Sequence, residues 1–232
     1  MLFERNKGMR MEQIGMELLH RLERLYTGVI CDVLDAELGL RNNVSIMSHE
    51  IRPLYPGAVV AGCAVTALAV PVCSAPEIPY EKQMAMIDSL RPGDVAVLTQ
   101  SGAMTASLWG GLLSAGAKQK GAQGAVLDGI TRDTMEIIQL SFPVFVKGIA
   151  PGNSKGRLDV IELNVPIICG GASVNPGDVI FGDNDGVVVI PRGIAVDIVR
   201  LAEEKREKER LFKKGLENGG NLAEMFTAYR AL

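Results

Sequence analysis

Near the N-terminus, apolar residues recur at helical spacing: Ile14, Leu18, Leu22 and Leu25 punctuate residues 11–26, with Glu and Arg between them. Thr27 predicts an N-cap for a second helix, GVICDVLDAELG, that ends near Gly39. Over residues 40–57 the periodicity stops, and Pro53 and Pro56 keep the segment out of helix. The pattern then changes to Val-rich runs. AVVAGCAVTALAV (58–70) reads as a buried strand with Gly62 marking a bend. After a loop at 71–79, residues 80–90 form a helix that turns Met84, Met86 and Ile87 to the core, and Arg91-Pro92-Gly93-Asp94 launches the strand VAVLT (95–99). Pro-Gly-Asp recurs at 176–178 before VIFG, and Asp183-Asn184-Asp185-Gly186 before VVVIP predicts a hairpin. Further strands are PVFVKG (143–148) and VIELNVPIIC (160–169). A helix starts at Pro191 and becomes highly charged over 202–214, where charges at i, i+4 spacing mark a solvated face or a packing arm for a neighbouring subunit. Asn218-Gly219-Gly220 closes it, and NLAEMFTAYRAL forms a short amphipathic terminal helix.

Helices, then many strands with a few helices among them, then helices: this order predicts a mixed α/β (α+β) sandwich, one domain over residues 1–232. The strands are too irregularly spaced for a clean doubly wound sheet, and no dinucleotide fingerprint is present.

Composition removes several function classes. A net charge of -3 with scattered Lys and Arg argues against a nucleic-acid surface, and six Phe, four Tyr and one Trp leave little for base stacking. No apolar run approaches membrane-spanning length, and the N-terminus lacks an apolar signal core, so the expected location is the cytoplasm. Cys31, Cys63, Cys73 and Cys169 form no CxxC, and with only His20 and His49 in the chain a zinc cluster is not expected. Asp183-Asn184-Asp185-Gly186 lacks the further ligands of a calcium loop. Gly152, Ser154, Lys155 and Gly156 miss the phosphate-loop pattern, so residues 151–157 read as a mobile surface loop.

The stretch WGGLLSAGAKQKGAQGAVLDGITRDTME (109–136) carries the candidate chemistry. Gly110 and Gly111 open a helix whose free amides suit a carboxylate or phosphate. After Val126-Leu127 a bend places Arg132 beside Asp133, with Glu136 a helical turn on. Asp133-x-x-Glu136 makes an acceptable capping box, which accounts for both carboxylates. It leaves Arg132 unexplained, since a cation before a helix N-terminus faces the positive end of the dipole. In the functional reading, Asp133 and Glu136 hold a hard divalent cation (Mg2+ or Mn2+), directly or through water. Arg132 meets an anionic oxygen, and the amides of Gly110, Gly111, Leu112 and Leu113 cradle a carboxylate. Such a site suits a small 2-oxo acid, the cation acting as Lewis acid toward the enolate left when the C3–C4 bond breaks. A Schiff-base route would need a lysine of lowered pKa, for which Lys147 is the candidate.

VICDVLDAELG, IRPLYPGAVVAGCAVTA, RPGDVAVL, LWGGLL, GAVLDGITRD, FPVFVKG and VNPGDVIFGDNDGVVVIP together resemble the family of the regulator of ribonuclease E activity A and the 4-hydroxy-4-methyl-2-oxoglutarate aldolases, over roughly residues 20–225. The resemblance implies a swivelling β/β/α sandwich, assembled as a homotrimer or hexamer with active sites between subunits. It also implies a divalent-metal pyruvate lyase that cleaves 4-hydroxy-2-oxo acids and decarboxylates oxaloacetate; the alternative it carries is a non-catalytic regulator of a ribonuclease. The family's signature is an acid followed after twenty residues by Arg-Asp, with a variant that has Gly first and an acid three positions after the Asp. Gly111, Arg132, Asp133 and Glu136 match the variant. By resemblance, Asp133 is the metal ligand, Arg132 contacts the substrate's oxo or hydroxyl oxygen, the amides of Gly110 to Leu113 hold the carboxylate, and Glu136 replaces the missing acid. A neighbouring subunit's C-terminal helix would add Glu207 or Glu209. An inherited methyltransferase name finds no adenosyl-binding loop in this sequence.

Overall fold

The computed structural model describes residues 14–39 and 45–230. Its centre is a curved nine-stranded sheet built from β1 (Arg52–Pro53), β2 (Val60–Pro71), β3 (Asp94–Thr99), β4 (Ser107–Trp109), β5 (Gly124–Thr131), β6 (Val144–Ile149), β7 (Leu158–Leu163), β10 (Val179–Asp183) and β11 (Gly186–Ile190). The main path runs β1-β6-β5-β3-β2-β10-β11, with β4 beside β5 and β7 beside β2. Its two ends approach each other: the Gly57 amide donates to Asn184 Oδ1 in the β10–β11 turn at 2.8 Å. A two-stranded hairpin, β8 (Ile167–Cys169) and β9 (Ala172–Val174), completes the strands of the described residues.

Period-two alternation sorts side chains between the faces of this sheet. Val95, Val97, Val126, Phe145, Ile180, Val187 and Val189 point into the concave side, where Ile167, Cys169 and Val174 of the β8–β9 hairpin pack against them. Their neighbours in sequence point outward and are covered by two separate groups of helices. Ala96, Leu98, Ala125 and Leu127 lie in a core with Met86 of α3 (Glu81–Ser89), Ala117 of α4 (Gly111–Gln119) and Ile137 of α5 (Thr134–Gln139). Val179, Phe181, Val188 and Ile190 lie with α1 (Met16–Leu22), α2 (Thr27–Leu38) and α6 (Ala195–Glu217). The terminal helix α7 (Leu222–Tyr229) is capped by Asn221, whose side chain accepts from the Glu224 amide.

Several sequence expectations hold. The Asp183–Gly186 turn is a hairpin, with Asp183 opposite Gly186. Both Pro-Gly-Asp turns launch strands, with Gly93 and Gly177 at φ +89 and +85. Other expectations are corrected. Thr27 does not cap α2: it is the first helical residue, and its amide and hydroxyl both donate to the Asp183 carboxylate at 2.8 Å. The run 160–169 is two strands, broken where Asn164 adopts φ +52 and the Thr66 hydroxyl donates to the Val165 carbonyl. β2, β3, β5 and β6 pair in parallel while β1, β7, β10 and β11 pair antiparallel, so the sheet is mixed, in keeping with the mixed α/β expectation. The expected helix over 11–26 is described from residue 14, and the parts of the predicted segments at 11–13, 40–44 and 231–232 lie outside the described residues.

Candidate functional site

Three elements meet where β4 and β5 end. Trp109, the last residue of β4, is buried; its indole N–H donates to the Ser114 hydroxyl at 2.8 Å, and its ring stacks on Phe142 at 6.5 Å. Its carbonyl accepts from the Arg132 amide at 3.1 Å, which ties the start of α4 to the end of β5. Upstream, β5 is irregular between Leu127 and Ile130, and the buried Gln100 side chain repairs the gap by accepting from the Ile130 amide and donating to the Ala106 carbonyl. A Cβ on Gly129 would fall 1.7 Å from Gln100 Oε1, so this repair requires glycine there.

The Gly110-Gly111 pair makes room for the acids and the cation of the next segment. A Cβ at Gly110 would lie 2.6 Å from Asp133 Oδ2 and 3.3 Å from Arg132 Cγ. One at Gly111 would lie 2.0 Å from Glu136 Oε2. Bare backbone thus packs directly against Arg132, Asp133 and Glu136, and all four signature residues are brought together.

The capping-box reading fails on the geometry. Asp133 precedes α5 in the left-handed region at φ 56, ψ 38, and its side chain caps nothing in that helix. Oδ2 instead accepts from the Gly111 amide at 3.2 Å and lies 3.4 Å from Arg132 Nε. A left-handed non-glycine residue costs of order 1 kcal/mol, and such strain concentrates at functional sites. The anion cradle is correspondingly narrower than expected. Gly111 spends its amide on Asp133, whereas the amides of Leu112 and Leu113, in the first turn of α4, have no partner among the described residues.

A cavity of about 320 Å³ opens onto this cluster. Gly110, Leu112, Leu113, Arg132 and Asp133 line it. The lining also includes Tyr80, Gln83 and Asn153, which the sequence pattern did not single out, and Ser154, which it named only to set aside a phosphate loop. Gln83 carried a signal, since a polar residue in phase with Met86 and Ile87 on the buried face of a helix needs a partner; its amide donates to the Leu108 carbonyl. The 151–157 segment is not simply a surface loop. Its Gly152 carbonyl accepts from the Ser107 amide at 2.8 Å, Asn153 bridges to Ser107, and Ser154 is 3% exposed.

The described residues contain no group of three or more His, Cys, Asp or Glu arranged to hold a metal ion. Asp133 and Glu136 therefore offer a sparse carboxylate pair, which suits a hard cation that keeps several waters and takes substrate oxygens, and does not suit a closed all-protein cage. Lys147, the Schiff-base candidate, is ion-paired to Asp128 at 2.7 Å and to Glu50 at 3.6 Å. Its hydrogen bond to Asp128 raises its pKa, and an ammonium held in this way is a poor nucleophile. Glu207 is held by Arg210 through two bonds of 2.8 Å, and burial raises the pKa of Glu209; both lie on α6, which packs on the opposite helical layer of this chain. Cys169 is buried with its thiol pushed up to about 12 and Cys31 to about 11, chiefly by burial, so neither is a thiolate at neutral pH.

Residues 30–189 match the RraA-like family model, described as Aldolase/RraA. The chain belongs to the RraA-like family. A Halalkalibacterium halodurans relative named as a candidate 4-hydroxy-4-methyl-2-oxoglutarate aldolase is 35% identical over 196 residues, covering 84% of this chain and 87% of the relative. A Streptomyces coelicolor structure, described as an unusual member of the RNase ES inhibitor RraA family, superposes with TM-score 0.76 at 30% identity, covering 87% of this chain and 98% of the other. An uncharacterized Pseudomonas syringae protein superposes with TM-score 0.84 at 27% identity over 97% of this chain and 99% of that one. The RraA-like fold expected from the sequence motifs is thus the fold observed. No helix of the described residues is long and apolar enough to cross a membrane.

Proposed function

We propose that the cavity lined by Gly110, Arg132 and Asp133, with Glu136 packed against the adjacent Gly111, is the active site of a divalent-cation-dependent lyase that cleaves a 4-hydroxy-2-oxo acid to pyruvate and also decarboxylates oxaloacetate. The observation that carries this reading is the overlap of Glu136 with the missing side chain of Gly111: Oε2 lies 2.0 Å from where a Cβ at 111 would sit. A carboxylate supplied from α5 thus occupies the space next to Asp133 that an acid on α4 would fill. The aldolase name of the Halalkalibacterium relative supports the same reaction class.

Asp133 and Glu136 would hold Mg2+ or Mn2+, with water and substrate completing the shell. When bound, the cation supplies Lewis-acid polarisation of the substrate's oxo group. The free Leu112 and Leu113 amides receive the substrate carboxylate at the positive end of α4. The Arg132 guanidinium faces the oxo oxygen, where negative charge grows as the C3–C4 bond breaks. In the retro-aldol step the C4 hydroxyl gives its proton to solvent, C4 leaves as a carbonyl compound, the C3–C4 electron pair stays on C3 as the enolate, and C3 then takes a proton from solvent to give pyruvate. In decarboxylation the C3–C4 electron pair likewise stays on C3 as the enolate while C4 leaves as CO2, so one arrangement of Arg132 and amides serves both reactions. A pyruvate-release assay over 4-hydroxy-2-oxo acids and oxaloacetate, with magnesium, manganese or chelator, tests the proposal; turnover that chelation leaves untouched overturns it.

We further propose assembly as a homotrimer or hexamer with its sites at subunit boundaries, consistent with the 82% exposure of Leu112 and the 69% exposure of Met135 beside the site. Native mass spectrometry showing a monomer would contradict this. The Streptomyces neighbour favours a second reading, a regulator that binds a ribonuclease without turnover. Capture of a ribonuclease E-type enzyme by both the wild type and Asp133→Ala, with no pyruvate release by either, would favour that reading over the lyase.

A further inference from the structure

One edge of β5 is served by two strands in turn. β3 pairs with it from Val95 opposite Gly124 to Thr99 opposite Asp128, and β4 takes over with Ser107 opposite Ile130 and Trp109 opposite Thr131. Gln100 stands at the handover. Its backbone amide donates to the Asp128 carbonyl at 3.2 Å, its side-chain oxygen accepts from the Ile130 amide, and its Nε2 donates to the Ala106 carbonyl at 2.7 Å. The side-chain amide thus takes the place of a missing peptide group, with donor and acceptor both used. Gln100 is 1% exposed and all of these partners lie in the same chain, so the arrangement does not wait on a neighbouring subunit.

Both strands tied by this side chain end in the candidate site. Ala106 immediately precedes β4, which runs into Gly110-Gly111, and Ile130 is followed closely by Arg132 and Asp133. Beyond the tie the strands hold each other through the Trp109 carbonyl, which accepts from the Thr131 hydroxyl at 3.2 Å and the Arg132 amide at 3.1 Å. Resting on the lyase reading for its activity readout, we propose that Gln100 is a positioning residue. It sets the level of β5 against β4, and so where Arg132 and Asp133 stand relative to the first amides of α4. It does not line the cavity and acts only through these strands. Removing its amide leaves a buried donor on Ile130 and a buried acceptor on Ala106, and the handover must loosen or shift to satisfy them. A displacement of about 1 Å at reacting groups costs about a hundredfold in rate. The α4 amides that receive the substrate carboxylate are less disturbed, so the loss falls on kcat more than on KM.

Gln100→Met, similar in length and without hydrogen-bonding amide atoms, tests this beside Gln100→Asn, which is too short to reach both partners. All proteins are compared well below their melting transitions. Without metal, amide hydrogen exchange at Arg132 is expected to speed up about tenfold in Gln100→Met, with β10 and β11 unchanged. Calorimetric Mn2+ affinity should fall about tenfold, and kcat for pyruvate release about a hundredfold with KM changed by less than about threefold. Gln100→Asn should show smaller changes of the same kind, and it carries the comparison if Gln100→Met does not fold. A lower melting temperature with exchange, Mn2+ affinity and kcat unmoved overturns the inference; if the wild type turns over, that result leaves the lyase standing. A wild type without turnover sinks the lyase instead, and the inference then stands or falls on Arg132 exchange and Mn2+ affinity.

Discussion

Asp128, within β5, and Asp133, just beyond its C-terminal end, stand five residues apart, and the fold treats them in opposite ways. The Asp128 side chain is 13% exposed and fully engaged: Lys147 pairs with Oδ1 at 2.7 Å, and the Gly170 amide, in the β8–β9 turn, donates to Oδ2 at 2.8 Å. It fastens the hairpin that fills the concave face. The Asp133 side chain is 36% exposed, sits on strained backbone, and has one long amide bond and one loose guanidinium contact. Asp128 is engaged by donors on both oxygens, whereas Asp133 retains lone pairs and an open approach. The contrast separates residues that hold the sheet from residues available to a ligand.

The sharpest way to break this comparison is Asp133→Asn. Magnesium-dependent pyruvate release should fall by about a thousandfold or more while thermal unfolding changes little, because the site spends stability on Asp133 and gains none. Unchanged turnover in the variant would remove Asp133 from the chemistry. Arg132→Lys should lower kcat/KM by about a hundredfold, since a point ammonium cannot reproduce the guanidinium fork, and near-normal rates would make Arg132 structural. Lys147→Met tests the other carboxylate: denaturant unfolding should show a loss of about 2 kcal/mol with kcat retained, because Asp128 is left without its cation. Gly111→Ala comes next. Helix propensity favours Ala, so stability should hold or rise slightly, yet the displaced Glu136 carboxylate should cost about tenfold in activity, read as a pyruvate-release rate beside a melting curve.

The smallest expected effect is on pH dependence. The Lys147 pKa is raised in the folded protein, so its pairing contributes fully below the ordinary lysine value of about 10.4 and is lost as pH rises through the folded value. An alkaline melting series should therefore lower the Tm of the wild type more than that of Lys147→Met above about pH 10. Parallel curves would show that the pair adds no stability.

Much of this could be read in the sequence because it is local. Alternating Val-rich runs, two Pro-Gly-Asp turns and an Asp-Gly hairpin specify strands and their ends without help from distant residues. The motif from Gly111 to Glu136 contains both halves of the candidate site within one strand–helix connection, so its members had to be neighbours. What escaped depends on pairing between remote segments. Thr27 looks like a cap until Asp183, 156 positions away, supplies the acceptor. Residues 151–157 look like solvent-facing loop until Ser107 pairs with them. The parallel half was hidden because its crossovers differ in length and β4 is only three residues long. Asp133 and Glu136 fit a capping pattern equally well on paper; a positive φ at Asp133 decided against it.

The overlap of Glu136 with the empty side of Gly111 also fixes the order in which this site can be altered. Gly111→Asp alone would set two carboxylates against one space, and Glu136→Ala alone would leave the space bare. Each single change is expected to lower activity, whereas the pair restores one carboxylate beside Asp133 and should recover part of it. Such a double-mutant cycle is strongly non-additive. If the proposed lyase role holds, moving the donor from one helix to the other would cross a valley, with activity expected to fall at either single change and to return in part with both.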